Sequence, residues 1–168
     1  MTMEQRFDDA LVHLDRALEA QRAAPDLPSF RCAVTVIRAK VLCLAGRYNE
    51  SLMAWQERAF LGLRYPSDAY EVALGRGTCY IKMGHAKEAI KILEITLDRS
   101  DPSHLVPIRA LIEKLGEAYS ATKRPLPDRW RRVAARVNAC ISPRTARHVR
   151  PLSLRSLSRK IPKPLRSP

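Results

Sequence analysis

Glycine and aromatic side chains are scarce: six glycines and 6% Phe, Trp and Tyr in 168 residues. Tight β-turns draw on glycine, and pleated strands favour aromatic and β-branched side chains, so the composition speaks against an all-β fold. No apolar run approaches the roughly 18 residues that a membrane-spanning helix needs. The longest, at 34–37 and 41–45, are separated by Arg38 and Lys40. The opening MTMEQRFDDAL is acidic and has no apolar core, unlike a secretory signal, which predicts a cytoplasmic protein. Cys32, Cys43, Cys79 and Cys140 lie far apart, with no C-x-x-C pair and no histidine at ligand spacing. A disulfide framework, a metal centre or another cofactor is therefore not expected.

Signatures of catalysis are missing as well. There is no nucleophile elbow, no phosphate-binding loop and no His/Cys pair with a supporting acid. His13, His85, His104 and His148 fall on different predicted elements. No catalytic residue is assigned, and the chain is not expected to be an enzyme.

Acid is nearly absent from one end. Residues 1–120 carry 16 Lys/Arg and 16 Asp/Glu, whereas 121–168 carry 14 Lys/Arg and a single acid, Asp128. The whole formal charge of +13 thus belongs to the last stretch, a basic tail on a neutral body.

What the chain does have is helical period. Phe7, Ala10, Leu11, Leu14, Ala17 and Leu18 form one apolar stripe, which should stop near Pro25 and Pro28. Ser29 is placed to cap a second helix that ends at Gly46. A third is predicted over 49–63, closed by Pro66. A fourth, capped by Ser67 or Asp68, runs to Gly84. A fifth follows over 86–98 and a sixth over 104–121, with Pro107 in its first turn. After KRPLP, Asp128 opens a seventh, with Trp130, Val133, Ala134, Val137 and Ile141 as its stripe.

These elements recur. Gly46 and Gly84 each separate two helices, 38 residues apart, and Gly77 with Tyr80 returns as Gly116 with Tyr119, 39 residues on. Both Gly77 and Gly116 are expected where two helices approach closely. The segment GTCYIKMGHAKEAIKILEITLDRSDP supplies Gly77, Tyr80, Gly84, Ala89 and Asp101-Pro102; FDDALVHLDRAL supplies Phe7, Ala10 and Ala17; Ala39, Gly46, Tyr48 and Ser51 fill corresponding places in 32–66. This pattern resembles the tetratricopeptide repeat, over residues 5–141, as three helix pairs preceded by one unpaired second helix. The spacing exceeds the family's usual 34 residues. The last unit lacks the glycine turn, and its second helix departs from the motif.

The resemblance implies an all-α, right-handed solenoid of antiparallel helix pairs, about seven helices in all, over residues 1–141. Its concave groove would be lined by the first helix of each pair and would hold a segment of a partner protein. By phase the groove residues are Val36, Lys40 and Leu44; Glu71, Leu74, Thr78, Ile81 and Lys82; and Glu113 and Glu117, with Ala33, Cys43 and Ala110 beside them. The chaperone-tail clamp of some relatives is not reproduced: Lys40 has no Asn partner, and the third groove helix offers Glu113 and Glu117.

Residues 142–168 hold eight Lys/Arg, five prolines and no acid, which predicts a disordered basic tail. Leu154, Leu157 and Ile161 opposite Arg155, Arg159 and Lys160 could make a short amphipathic turn on RNA or an anionic membrane. With Arg129, Arg132 and Arg136 these form the candidate polyanion surface. A second role for the tail is to reach back to Glu113 and Glu117. The leading function is an interaction scaffold whose tail tunes affinity or location. The alternatives are a nucleic-acid- or ribosome-associated protein, and a fragment of a larger repeat protein.

Overall fold

A computed structural model describes residues 2–23, 28–63 and 65–141. All regular structure among them is α-helical: α1 (Met3–Ala23), α2 (Pro28–Leu44), α3 (Tyr48–Phe60), α4 (Pro66–Lys82), α5 (Ala86–Asp98), α6 (Leu105–Ala121) and α7 (Asp128–Ile141). Residues 142–168, with Arg155, Arg159 and Lys160, lie outside the described residues.

Each helix packs on the next, and α4 also touches α2 and α6. Two apolar clusters result. Leu11, Ala39, Leu42, Ala54, Trp55, Val72 and Cys79 join α1 to α4. Tyr70, Ala73, Leu93, Leu111, Leu115, Trp130 and Val137 belong to the second, which joins α4 to α7. The central helix α4 serves both, because Val72 and Cys79 project to one side and Tyr70 and Ala73 to the other. Each fully buried leucine contributes about 1.5–3 kcal/mol, so the two clusters dominate the stability. The α7 stripe packs as its spacing predicts, with Trp130 and Val137 buried and Val133, Ala134 and Ile141 against them.

The turn after a helix takes one form three times. Gly46 and Gly84 have φ of 77° and 80°, in the left-handed region where a side chain is strained. In each, the residue after the glycine bonds five residues back: Arg47 N–H to Leu42 O at 2.9 Å, and His85 N–H to Tyr80 O at 2.8 Å. Lys123 holds the same place in the third turn, with φ of 56° and Arg124 N–H on Tyr119 O at 3.1 Å. The sequence hides this turn because its left-handed residue is not glycine.

Helix ends depart from expectation in three places. Ser29 lies inside the first turn of α2, since Pro28 already occupies a helical position. α3 stops at Phe60 rather than 63, where Gly62 turns left-handed at φ 93°. α4 is capped by Tyr65, whose N–H donates to Asp68 Oδ2 at 3.3 Å, so Asp68 lies three residues inside the cap. Asp68 is held there by Arg58, a buried guanidinium 2.9 Å from Oδ2 that also donates to Gly62 O at 2.8 Å.

The glycine expectation holds in part. A Cβ on Gly77 would meet Leu93 at 3.2 Å, a close approach of α4 and α5. Gly116 has no neighbour within 4 Å of that position, so it is not a packing glycine. The tightest position is Gly75, where a Cβ would overlap the indole of Trp55.

A candidate partner-binding groove

Small residues bring α2, α3 and α4 together. Ala39 and Ser51 are fully buried, and Ser51 Oγ donates to Ala39 O at 2.7 Å while Cys79 Sγ–H donates to Ser51 Oγ at 3.2 Å. Burial pushes the Cys79 thiol up to about 11, so it stays protonated at neutral pH and can donate to Ser51. Gly75 then lets the Trp55 indole lie flat against α4. The indole forms part of the wall of a cavity of about 580 Å³ between α2, α4 and α6.

Five of the predicted groove residues line this cavity: Lys40, Leu44, Glu71, Leu74 and Thr78. Cys43 joins them, as expected from its phase. Lys40 Nζ is 2.7 Å from Glu71 Oε1, bridging α2 and α4 along the rim. Leu44 is 72% exposed at the mouth. Thr78 turns its hydroxyl back to Leu74 O at 2.8 Å.

The other predicted residues go elsewhere. Val36 packs against the α1–α4 cluster. Ile81, Lys82, Glu113 and Glu117 are not part of the cavity wall. Glu113 accepts from Arg109 at 2.8 Å and Glu117 from Lys114 at 2.7 Å, so the acids of α6 are matched by cations of the same helix.

Sequence phase missed Trp55, Ser67, Tyr70, Gly75, Pro107 and Lys114 on the wall. Trp55 belongs to α3 and reaches the cavity because Gly75 has no side chain in its way. Tyr70 is held by its hydroxyl, which accepts from Asp101 N–H at 3.2 Å and lies 3.0 Å from His104 Nδ1. If the hydroxyl proton goes to Nδ1, His104 carries its own proton on Nε2. The Asp101-Pro102 corner therefore sets the orientation of a groove side chain from outside the groove.

The candidate polyanion face divides similarly. Arg129 is turned to the body: its guanidinium is 3.1 Å from Glu94 Oε1 and 3.7 Å from Asp98 Oδ1, and it lies over the Trp130 ring at 4.6 Å. Arg132 and Arg136 are exposed. Among the described residues no group of His, Cys, Asp and Glu could hold a metal ion, and no helix is long and apolar enough to cross a membrane.

Compared with known protein families, curated proteins and solved structures, the chain matches none of them.

Proposed function

We propose that this chain is a tetratricopeptide-like adaptor without catalytic activity, acting in the cytoplasm. In this reading the helix pairs α2/α3, α4/α5 and α6/α7 stack as a right-handed solenoid, and a segment of a partner protein binds between α2, α4 and α6. The observation that supports it is the cavity in which Lys40 and Leu44 of one first helix meet Glu71, Leu74 and Thr78 of the next. Its walls are chiefly apolar, with one ion pair on the rim, a pattern suited to an apolar anchor on a peptide whose polar groups meet the edge.

The reading has a direct check. Leu44→Asp places a charge at the cavity mouth on an exposed side chain, whereas Leu74→Asp places one deeper, where the native leucine also packs against the α4–α7 cluster. Partners captured by the native chain should be lost from both variants, with a melting temperature close to native for Leu44→Asp and a lowered one for Leu74→Asp. Capture that survives both substitutions would move the binding surface elsewhere.

A nucleic-acid role has narrower support. Arg132 and Arg136 are exposed on α7, which leads into eight further Lys/Arg. In that case binding would be indifferent to sequence and would fall steeply with salt, and Arg132→Glu/Arg136→Glu would weaken it while leaving groove-dependent capture unchanged.

A further inference from the structure

A second cavity, of about 350 Å³, lies on another side of the molecule, between the end of α5, the start of α6 and the length of α7. Leu97, Leu105 and Ile108 form one wall; Val133, Val137 and Cys140 form the other, and Trp130 closes one end. From Trp130 to Cys140 the cavity follows α7 for about 15 Å at 1.5 Å per residue. Its charged lining residue is Arg136, which is exposed and so screened by water. On the rim Ser100 and Pro102 flank Asp101, an exposed carboxylate that accepts from Ser103 N–H at 2.8 Å and has no Lys or Arg partner among the described residues. Asp98, nearby in sequence, makes an exposed 3.7 Å contact with Arg129, its one ion pair among the described residues.

The sequence continues past Ile141, the last residue of α7, for 27 residues. Pro143 follows Ser142 directly after α7, and the residue before a proline disfavours helical backbone. The segment that follows carries Leu154, Leu157 and Ile161 at helical spacing i, i+3 and i+7, together with eight Lys/Arg and no acid. A coil spanning the 13 positions from Ile141 to Leu154 would reach roughly 20 Å, enough to bring Leu154 back anywhere along the cavity. A tether of this length gives an effective concentration on the order of millimolar, so even weak contacts populate the docked state.

We infer that the segment 149–161 folds back onto the α5–α6–α7 cavity, its leucines covering the half-buried Leu105 and Val133 and the exposed Cys140 and its arginines meeting Asp98 and Asp101. The groove between α2, α4 and α6 suits this segment less well. Its one lining acid, Glu71, is paired with Lys40, Glu113 and Glu117 elsewhere on α6 are paired with Arg109 and Lys114, and Lys40 and Lys114 form part of its wall. The tail therefore shields a face of its own body and leaves the partner groove open.

The test uses the full chain. Cys140 is exposed on the cavity edge, so its alkylation, mapped by peptide mass, reports whether the segment covers it. In Leu154→Asp/Leu157→Asp, Cys140 should alkylate several-fold faster than in the native chain, and high salt should speed the native reaction. A photo-crosslinker at position 157 should form intramolecular links to α7 or to the α5–α6 turn. Equal Cys140 rates in both proteins, links to α2 or α4, or links formed only between two molecules would each overturn the inference. Loss of partner capture in the Leu74→Asp variant is read separately, so either idea can fail without the other.

Discussion

At the scale of single residues, two mid-helix glycines have opposite roles. Gly75→Ala drives a methyl group into the Trp55 indole, which is 2% exposed and cannot retreat. The substitution should cost about 1–3 kcal/mol through overpacking. Gly116→Ala meets open space in mid-helix and should stabilise by up to about 1 kcal/mol, because alanine restricts the unfolded chain and favours helix. Thermal melts of the two variants should shift in opposite directions; equal destabilisation would mean that Gly116 is also packed. Lys123 offers a converse case. At φ 56° it bears a left-handed strain that glycine lacks, so Lys123→Gly should raise stability by roughly 0.5–1 kcal/mol in denaturant unfolding. A loss there would show that the lysine side chain has a compensating contact.

Between elements, one carboxylate ties three helices. Glu94 Oε1 on α5 accepts from Tyr119 Oη on α6 at 3.1 Å and from Trp130 Nε1 on α7 at 2.9 Å, with Arg129 alongside. Burial opposes its ionisation, but the hydrogen bonds from Trp130, Arg129 and Tyr119 outweigh that, and the carboxyl sits below the ordinary glutamate range. Because the folded value is depressed, the stabilisation is present above the ordinary range and is lost as pH falls through the lowered value. Glu94→Ala leaves the Trp130 N–H and the Tyr119 O–H without their acceptor and should cost about 1–3 kcal/mol at neutral pH. Glu94→Gln keeps an acceptor and should cost less, while flattening the acid limb of the stability curve. If Glu94→Gln keeps the native acid limb, another carboxylate controls it. The polar tie was legible only as scattered residues: Glu94, Tyr119 and Trp130 are up to 36 positions apart, and nothing in their spacing says that α5, α6 and α7 converge there.

Over the whole molecule, α4 contributes to both apolar clusters, which makes cooperative unfolding the expectation despite the linear order of the helices. Leu42→Ala in the first cluster and Leu111→Ala in the second each open a cavity at a fully buried position and should cost about 2–5 kcal/mol. Both variants should still melt in one transition by fluorescence and by circular dichroism. Two resolved transitions in either would mean that α4 does not couple the halves.

The all-helical class, seven helices and most of their limits followed from the sequence, because a 3.6-residue apolar period and left-handed glycines are local signals that need no partner. The α7 stripe is such a case, as are the turns at Gly46 and Gly84. The turn at Lys123 and the cap at Tyr65 were missed because there the surrounding structure overrides residue preference. Five residues of the α2–α4–α6 cavity were legible once the repeat resemblance was laid onto the helical phase. Trp55 and Gly75 were not, since their meeting depends on how α3 lies against α4, and the charge of Glu113 and Glu117 was misjudged until Arg109 and Lys114 were seen beside them. Period and turn chemistry are written along the chain. Which glycine is tight, which acid is neutralised and which arginine faces inward are decided by distances between helices, and only the tertiary structure holds those.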